Sequence, residues 1–455
     1  MRDVPAGAGG VPQKRAVVKR IVILGGGFAA IATAQRLERR LRPHEAELLL
    51  LSRENFSLFT PMLPEVSSGA LDVRHIVTPI RSQLRRTTFV LADVTELDVV
   101  RRRVSYTHTL TGDRAWVDFD HAVVAIGSAT STFDLPGVAE RAFALKTLED
   151  AGILRNRFMW LLELADSIDD PLERRRLLTI VVVGGGFTGV EATGELVELF
   201  HSVLRFYPHL SLRDVDIVLV EGGSTLLPGL PPKMGEYSER DLRRRGVTVI
   251  TGDGVRSADD DGLELASGKR IETRTIVWSA GVKPRSISVT GDLPRGKHGT
   301  IAVERDMSVS GHPGVWALGD CAAIPSGDGG YYPATAQHAI REGPVLADNI
   351  VASLRGMPTK PFSYSSLGMM ASLGARKAVA QLPGNRVLTG FPAWFLWRTY
   401  YLSRLPGLDR KLRVAFDWTL ELVFPRDISE LRVYTRRAQS SAAADAGLMT
   451  RDQVL

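Results

Sequence analysis

The chain has 455 residues, of which 44% are hydrophobic and 24% charged, so it is long enough for several domains with ordinary cores. Its net charge of +6 suits anionic ligands or an anionic membrane surface, and no nucleic-acid-binding motif accompanies that charge. A single cysteine, Cys321, excludes an intrachain disulfide framework and a Cys-x-x-Cys redox pair, and no apolar run of about 18 residues predicts a transmembrane helix.

The first predicted element follows a stretch, residues 1–17, that is rich in Gly, Pro and Ala and that we expect to be a loose tail. An apolar strand over 20–24 leads into Gly25-Gly26-Gly27-Phe28-Ala29-Ala30, and a helix is predicted over 31–41. Gly25 permits a tight turn, Gly27 lets the backbone approach a pyrophosphate, and Ala30 lets helix and strand pack closely. The pattern predicts a dinucleotide site, with a structural glycine turn as the alternative.

The next predicted strand, over 46–51, ends where such sites hold an adenosine ribose. A carboxylate is expected there, and the residues present are Ser52, Arg53 and Glu54. Two alternatives stay open: Glu54 binds the ribose, or Ser52 and Arg53 hold the adenosine side in another way.

Two later apolar strands each end at a glycine beside a predicted nucleotide-facing turn. The first runs through Ala125 to Gly127, and the second runs from residue 275 to Ala280 and Gly281. We predict that the first borders the first nucleotide and the second borders a second nucleotide. An ordinary core strand followed by a turn is the alternative for each.

The strand–turn–helix pattern repeats after a predicted strand at 178–183. The repeat contains Gly184, Gly186, Phe187, Gly189 and Glu191. A further strand over 216–220 ends at Glu221, whose carboxylate can accept hydrogen bonds from a ribose 2′-OH and would repel a 2′-phosphate, so NADH is favoured over NADPH. Two such sites in one chain indicate electron relay between a resident flavin and an exchanging nicotinamide.

The strongest single motif is the apolar strand 314–318 followed by Gly319-Asp320-Cys321-Ala322. With the two fingerprints, it makes residues 18–435 resemble the type II NADH dehydrogenases (NADH:quinone oxidoreductases) of the two-dinucleotide-binding flavoprotein superfamily. The resemblance implies that Asp320 binds the ribityl chain of FAD and that Cys321 is a neighbour of the flavin site. A buried space-filling cysteine is the simplest interpretation of Cys321.

Other site residues rest on the resemblance alone. It implies that segment 59–66, with Thr60 and Pro61, lies along the flavin ring, that Val94 also contacts FAD, and that Glu65 stands where the family commonly has Gln. Segment 333–343 resembles the helix start beneath the flavin. Its Ala336 and Gln337 match the quinone-site pattern Ala-Gln-x-x-x-Gln, whereas Arg341 replaces the second Gln. His338, beside the flavin, either tunes proton delivery or is structural.

Glu191 has two interpretations. The resemblance places the matching glutamate near the nicotinamide and the flavin, and the alternative is a carboxylate that complements the dipole of the first helical turn. We take Glu191, Gln337 and Arg341 as the candidate catalytic residues. No metal-ligand cluster is predicted.

From residue 390 the composition becomes rich in aromatic and basic side chains. Helices are predicted over 393–404 and 409–424, and Trp394, Trp397 and Tyr401 have the spacing of one helix face. Aromatic and basic residues together are typical of a helix that lies in the headgroup plane of a membrane. Packing on the chain's own core, or on the partner of a homodimer, is the alternative for these aromatics. The resemblance implies a C-terminal membrane-binding region here.

The predicted fold is α/β, with two Rossmann-like dinucleotide-binding domains, one inserted in the other, and a C-terminal helical membrane-associating region. The predicted bounds are 18–150 with 290–389 for FAD, 151–289 for NAD, 390–435 for the membrane region and 436–455 for a polar tail.

The predicted activity follows from the resemblance. Hydride passes from NADH to FAD and two electrons then reach a membrane quinone without proton pumping, at the cytoplasmic face of the cell membrane. A soluble reductase of ferredoxin or rubredoxin type, and a non-catalytic redox sensor, are the alternatives. Sulfide:quinone oxidoreductases and disulfide reductases need cysteines that this chain lacks.

Overall fold

The computed structural model of the protein describes residues 18–366 and 368–431. The predicted N-terminal tail and the predicted polar tail at 436–455 lie outside the described residues, as do residues 432–435 of the predicted membrane region. None of the helices in the described part of the chain is long and apolar enough to cross a bilayer.

The α-helices of the described residues are α1 (Phe28–Arg40), α2 (Leu63–Ser67), α3 (Ile80–Gln83), α4 (Val138–Arg141), α5 (Leu148–Ser167), α6 (Pro171–Leu178), α7 (Phe187–Val203), α8 (Pro232–Arg244), α9 (Ala336–Leu354), α10 (Phe391–Arg404) and α11 (Leu408–Leu420). Short 3-10 turns occur at Thr60–Met62, Val73–Ile76, Leu204–Phe206, Leu212–Asp214, Lys297–Gly299 and Gly319–Cys321.

The strands up to the second glycine turn are β1 (Lys19–Leu24), β2 (Ala46–Ser52), β3 (Phe56–Leu58), β4 (Val77–Pro79), β5 (Thr88–Asp98), β6 (Arg103–His108), β7 (Arg114–Asp118), β8 (His121–Val124), β9 (Ser128–Thr130), β10 (Ala142–Ala144) and β11 (Thr179–Val183). The later strands are β12 (Asp216–Glu221), β13 (Thr248–Thr251), β14 (Val255–Asp259), β15 (Gly262–Leu265), β16 (Arg270–Glu272), β17 (Thr275–Trp278), β18 (Val282–Pro284), β19 (Ser288–Thr290), β20 (Ile301–Ala302), β21 (Val315–Ala317), β22 (Ala322–Ala323), β23 (Met370–Gly374), β24 (Lys377–Leu382) and β25 (Arg386–Gly390).

The chain divides into two compact units, and the first contains residues 18–55, 83–126 and 286–362. Its sheet has the strand order β21-β8-β1-β2-β5-β6-β7, with parallel pairs from β21 to β5. The apolar residues of β1 and β8 are buried, as expected for parallel strands covered on both faces. The carboxyl ends of β21, β8, β1 and β2 therefore meet at one sheet edge, where α/β proteins bind their ligands.

Helices α1 and α9 of the first unit pack closely at Gly343. A Cβ atom on Gly343 would lie 2.7 Å from the Cβ of Ala32 and 2.8 Å from the backbone nitrogen of Thr33. Glycine at this position therefore sets the separation of the two helices behind the sheet edge.

The second unit contains residues 56–82, 127–285 and 363–431. Its parallel sheet has the order β10-β17-β11-β12-β13, and a core of Val181, Val183, Val220, Ile276 and Trp278 lies on it. All five residues of β11 are buried, which is the arrangement that its continuous Val and Ile run predicts.

The C-terminal part of the second unit is an antiparallel meander, β23-β24-β25, followed by α10 and α11. The meander lies against α7, because a Cβ on Gly194 of α7 would be 2.3 Å from the carbonyl oxygen of Leu373. The α/β fold with two parallel-sheet units and a C-terminal helical region is confirmed. The predicted domain bounds stay a prediction.

Candidate active site

The first glycine turn joins β1 to α1 in the first unit. Gly25 has φ +115°, and a Cβ on it would lie 2.2 Å from the carbonyl oxygen of Ala125, so only glycine fits. A Cβ on Gly27, the N-cap residue of α1, would meet nothing within 4 Å. Gly27 therefore borders open space at the positive end of a helix dipole, beside the buried Ala29 and Ala30. This open cradle fits the pyrophosphate of a dinucleotide.

The end of β2 presents the three residues expected near a ribose. Ser52 is buried and its hydroxyl accepts the N–H of Glu54 at 3.3 Å. Arg53 and Glu54 form an exposed ion pair, with 3.7 Å between guanidinium and carboxylate. Glu54 is therefore accessible for a sugar hydroxyl, while the Ser52 hydroxyl already holds the local backbone. The assignment of these three residues stays a prediction.

Gly319 and Asp320 follow β21 at the same sheet edge. Gly319 has φ +71°, and a Cβ on it would lie 3.3 Å from the Cβ of Ala29, so this turn lies against the first residues of α1. The Gly319 N–H donates to Oε2 of the buried Glu342 at 2.7 Å. Burial, with a smaller contribution from the charge of Asp320, raises the pKa of Glu342 to about 7. Sequence reasoning did not select Glu342, since it lies 22 residues after Asp320.

Helix α9 begins at Ala336 and carries the predicted quinone-site pattern. Thr335 caps it by accepting the His338 N–H, and its hydroxyl lies 2.7 Å from the ring nitrogen Nδ1 of His338. The guanidinium of Arg341 donates to the carbonyl oxygen of Gln337 at 2.7 Å, so Arg341 binds back onto its own helix. Burial, and then the charge of Arg341, lowers the pKa of His338.

The remaining residues predicted for FAD fall in different places. Val94 lies half-buried in β5 of the first unit, next to an irregularity in its pairing with β6. In the second unit, Thr60 and Pro61 form a half-buried 3-10 turn. Gly127, also in the second unit, has φ +71° and its carbonyl accepts the N–H of Arg285 at 2.9 Å.

The second glycine turn joins β11 to α7 in the second unit. Gly184 has φ +109°, and a Cβ on it would lie 2.7 Å from the nitrogen of Ala280. A Cβ on Gly189 would lie 1.8 Å from the carbonyl oxygen of Gly184, whereas one on Gly186 would meet nothing within 4 Å. The turn is therefore packed against backbone at Gly184 and Gly189 and borders open space at Gly186, as the first turn does at Gly25 and Gly27. Gly281, which follows Ala280, lies against the ring of Phe133.

Glu221 ends β12 beside this turn. Its Oε2 accepts the N–H of Gly185 at 2.5 Å, and its Oε1 accepts the N–H of Gly223 at 2.6 Å. The structure thus brings the predicted ribose-binding carboxylate to the predicted fingerprint. Both oxygens of this carboxylate thus accept backbone N–H groups at the end of the strand.

Glu191 lies in the second turn of α7 and is buried. Its Oε1 accepts the backbone N–H of Ser372 at 3.0 Å and the indole N–H of Trp397 at 3.2 Å. Burial raises the pKa of Glu191 to about 8, against the effect of both hydrogen bonds. The first turn of α7 has no acidic residue. Glu191 therefore faces β23 and α10, not the helix N-terminus.

A second group of buried charges adjoins Glu191. Arg426 donates to Oε2 of Glu195 at 2.8 Å, and the hydroxyl of Ser68 lies 3.1 Å from the same oxygen. Glu65 receives the indole N–H of Trp418 at 3.0 Å. Sequence reasoning missed Glu195 and Arg426 as site residues because they lie 231 positions apart and neither belongs to a nucleotide motif.

The predicted membrane-facing stripe of α10 is corrected by the structure. Trp397 is 1% exposed, Tyr401 stacks edge-on against it at 4.8 Å, and Trp394 is half-buried. Trp397 faces inward, where its indole N–H donates to buried Glu191. Other apolar side chains of α10, α11 and the following turn are exposed instead: Phe391, Phe395, Leu408, Leu412, Phe416, Leu420, Leu422, Val423 and Phe424.

Cys321 is buried beneath the Gly319–Asp320 turn. Its thiol lies 3.4 Å from the carbonyl oxygens of both Val124 and Leu318. The space-filling interpretation is consistent with this setting.

The comparisons with known proteins agree with this architecture. The family described as pyridine nucleotide-disulphide oxidoreductase matches residues 19–343, and the NDH2 C-terminal domain matches residues 367–427. A probable NADH dehydrogenase of Dictyostelium discoideum is 31% identical over 427 residues, which cover 92% of this chain and 93% of that protein. The chain belongs to the type II NADH dehydrogenase family. The predicted resemblance is confirmed.

Other relatives extend the same finding. The type II NADH:quinone oxidoreductase Ndh of Mycobacterium tuberculosis is 31% identical, covering 90% of this chain and 89% of that protein. The fold is similar to NDH2 from Plasmodium falciparum, solved in complex with NADH, with a TM-score of 0.83 at 20% identity over 90% of this chain and 99% of that one. A sulfide:quinone oxidoreductase of Aquifex aeolicus shares the fold less closely, with a TM-score of 0.67 at 19% identity over 89% of this chain and 95% of that one.

Proposed function

We propose that this chain is an FAD-dependent NADH:quinone oxidoreductase. The observation that carries the proposal is the pair of glycine turns, each closed below by backbone and open at the N-terminus of a helix. The C-terminal region of the type II dehydrogenases, which the chain also contains, supports a quinone as the acceptor.

FAD fits the first unit. The backbone at Gly25 and Gly27 would hold the pyrophosphate, Ser52, Arg53 or Glu54 the ribose end, and Asp320 the ribityl chain. Glu342 would hold a proton beside Asp320 below about pH 7, since its pKa is raised to about 7. When bound, FAD accepts a hydride from NADH and passes two electrons to the quinone.

NADH fits the second unit. The turn of Gly184, Gly186 and Gly189 would hold its pyrophosphate at Gly186, while Gly184 and Gly189 pack against backbone and Ala280 closes the floor of the turn. Glu221 presents a carboxylate where a ribose hydroxyl would bind, and a 2′-phosphate would be repelled there. We therefore assign NADH as the preferred donor over NADPH.

Glu191 in the second unit, and Gln337 and Arg341 in the first, are each proposed as catalytic residues. Glu191 holds a proton below about pH 8 because burial raises its pKa, so it can supply that proton to a quinone oxygen. Gln337 and Arg341 lie one turn apart on α9, and the Arg341–Gln337 hydrogen bond orients the guanidinium that replaces the expected Gln. Arg341 adds a fixed positive charge that a second Gln would not.

The exposed apolar face of α10 and α11 supports binding to a membrane surface. Phe395 is 61% and Phe416 63% exposed, and exposed Arg404 and Arg413 accompany them. We assign the cytoplasmic face of the cell membrane, a reducing side that suits a chain with one cysteine. A second copy of the chain in a homodimer is the alternative cover of this face.

The test is steady-state oxidation of NADH and NADPH by the purified flavoprotein, with and without a short-chain quinone. NADH-selective, quinone-dependent turnover is expected. Flavin reduction by NADH without quinone turnover would retain both cofactors and exclude the quinone as acceptor. Absence of turnover with every acceptor would leave a redox sensor as the better interpretation.

A further inference from the structure

A cavity of about 320 Å³ in the second unit is bordered by buried charged groups to which the hydride transfer gives no role. Its wall includes Glu65 of α2, Glu195 of α7, Ser372 of β23, Arg398 of α10, Glu421 and Arg426. Ser372 is the residue whose N–H binds Glu191, so the cavity reaches the immediate neighbour of Glu191.

The surroundings of Glu65 favour the protonated, neutral form of its carboxyl group. Its Oε1 accepts the Trp418 N–H, while its Oε2 is buried and has no hydrogen-bond partner among the described residues. A buried ionised carboxylate with one oxygen unsatisfied is strongly unfavourable, whereas a neutral acid carries its proton on that oxygen.

The charges that face Glu65 come from several elements. Glu195 on α7 and Glu421 after α11 are negative, while Arg398 on α10 is positive and is stacked between Trp394 and Trp418 at 4.4 and 4.5 Å. Arg155 of α5 lies next to Gly69, in the segment that follows the helix of Glu65. Burial, and then the charge of Glu195, raises the pKa of Glu65 well above its usual range.

The surroundings of Glu65 and Glu191 are alike. Each is buried, and each uses one oxygen to accept an indole N–H from a C-terminal helix, Trp418 of α11 or Trp397 of α10. Glu195 interacts electrostatically with both carboxyl groups, and its own charge is matched by Arg426. Burial, and then the charge of Glu191, raises the pKa of Tyr401.

We propose that Glu65 is a second proton-holding residue, which takes protons from the cavity and returns Glu191 to its protonated form after each turnover. The inference rests on the proposed function. Oxidation of one NADH by one quinone consumes one proton from solution and gives NAD⁺ and quinol. One quinol hydrogen originates from the hydride of NADH, and the other comes from Glu191, whose O–H bond breaks as that quinol O–H forms. Glu65 then donates its proton to the Glu191 carboxylate through water in the cavity, and solvent reprotonates Glu65.

Glu65→Gln tests the proposal without removing the acceptor of the Trp418 N–H. We expect quinone-dependent turnover above about pH 8 to fall about tenfold, with a smaller loss near pH 6, because solvent supplies protons more readily in acid. Single-turnover reduction of the flavin by NADH should be unchanged. Glu65→Asp should restore part of the lost turnover, which a purely structural role would not require.

Glu198→Gln is the matched control. Glu198 borders the same cavity, but its carboxylate forms an ion pair with Arg245 at 2.8 Å. Infrared spectra of the oxidised holoenzyme at neutral pH should lose carboxylic-acid C=O intensity in Glu65→Gln and retain it in Glu198→Gln.

Two outcomes would overturn the proposal while leaving the proposed function intact. One is wild-type turnover by Glu65→Gln at both pH values, and the other is an unchanged carboxylic-acid band in that variant. A wild-type protein that reduces no quinone would instead refute the proposed function, and the proton-holding role would fall with it.

Discussion

Gly184 and Gly186 stand two positions apart and meet opposite requirements. Gly184 has a positive φ and lies against the backbone of Ala280, so any side chain there collides with protein. Gly186 has an extended backbone and open space beside it, so a side chain there meets only a ligand. One residue is needed for folding, and the other is needed for binding.

We expect Gly186→Ala to raise the KM for NADH about tenfold with little change in Tm, because the methyl group occupies space that a pyrophosphate needs. Gly184→Ala should instead lower stability by about 2 kcal/mol or more, since the strain and the collision are present without ligand. Thermal unfolding and NADH kinetics of both variants check this. Equal loss of Tm in the two variants would contradict the distinction.

Burial of Glu191 also makes stability depend on pH. The folded pKa is about 8 and the ordinary value is 4.5, so the folded state holds a proton that the unfolded chain has lost between these limits. Stability associated with this group is therefore complete below about pH 4.5 and is lost as pH rises to about 8.

Glu191→Gln should remove that loss, because a neutral amide needs no proton and its oxygen can still accept both N–H groups. The difference in free energy of unfolding between the variant and the wild type should therefore shift by on the order of 3 kcal/mol in favour of the variant from about pH 5 to pH 8. Urea unfolding at the two pH values measures the difference. A gain that is the same at both values would show that the effect is not titration of Glu191.

The two glycine turns could be predicted from sequence because the Gly-x-Gly pattern that marks each turn is local, although Ala125 and Ala280, which pack against the turns, lie far along the chain. The partners of Glu191 could not. Ser372 and Trp397 lie 181 and 206 positions further along the chain, and nothing near Glu191 indicates them. The same holds for Glu195 with Arg426, which only the packing of α7 on the C-terminal segment brings together.

At the scale of elements, α10 and α11 each have two apolar faces. The inner faces carry Trp397 and Trp418, which bind buried carboxyl groups, and the outer faces carry Phe395 and Phe416. Sequence spacing identified the stripe of Trp394, Trp397 and Tyr401, but it could not indicate which stripe faces outward. The indole N–H groups of Trp397 and Trp418 determine which face is buried, because each donates to an acceptor inside the protein.

Replacing Phe395 and Phe416 together by Ser should weaken binding to lipid vesicles by up to about a thousandfold, because each phenyl ring buried in lipid contributes roughly 2 kcal/mol and about 1.4 kcal/mol is a factor of ten. Stability should change little, since both rings are exposed. Vesicle flotation and thermal unfolding measure the two effects, and Trp116→Ser, an exposed aromatic of β7, is the control. If the double variant became monomeric while its binding to vesicles was unchanged, the face would be a contact with a second copy of the chain and not with lipid.

At the scale of the whole molecule, the net charge of +6 accompanies the apolar contact. The Debye length falls from ~10 Å at 0.1 M salt to ~3 Å at 1 M, so the electrostatic part of binding to anionic vesicles should be lost over that range. We expect less of the wild-type protein to float with the vesicles as salt increases. Some binding should remain at high salt, because the contact between apolar side chains and lipid is not screened. Flotation that is independent of salt would show that the charge has no role.

The architecture of the whole molecule was largely predictable. Parallel sheets follow from buried strands such as β1 and β11, each leading into a glycine turn and a helix. Residues 56–82 are the instructive exception: they follow the first nucleotide motif in sequence, yet they belong to the second unit. Their placement depends on contacts of α2 with α5 and α7, which no local pattern encodes.

The setting of Cys321 has a practical consequence for chemical labelling. The chain contains one thiol, and it is buried beneath the Gly319 turn, so maleimide reagents should leave the folded protein unmodified. A cysteine introduced at an exposed position such as 395 would then carry a fluorophore at a single known place. Its emission would report contact with lipid directly, in a protein that needs no prior removal of native cysteines.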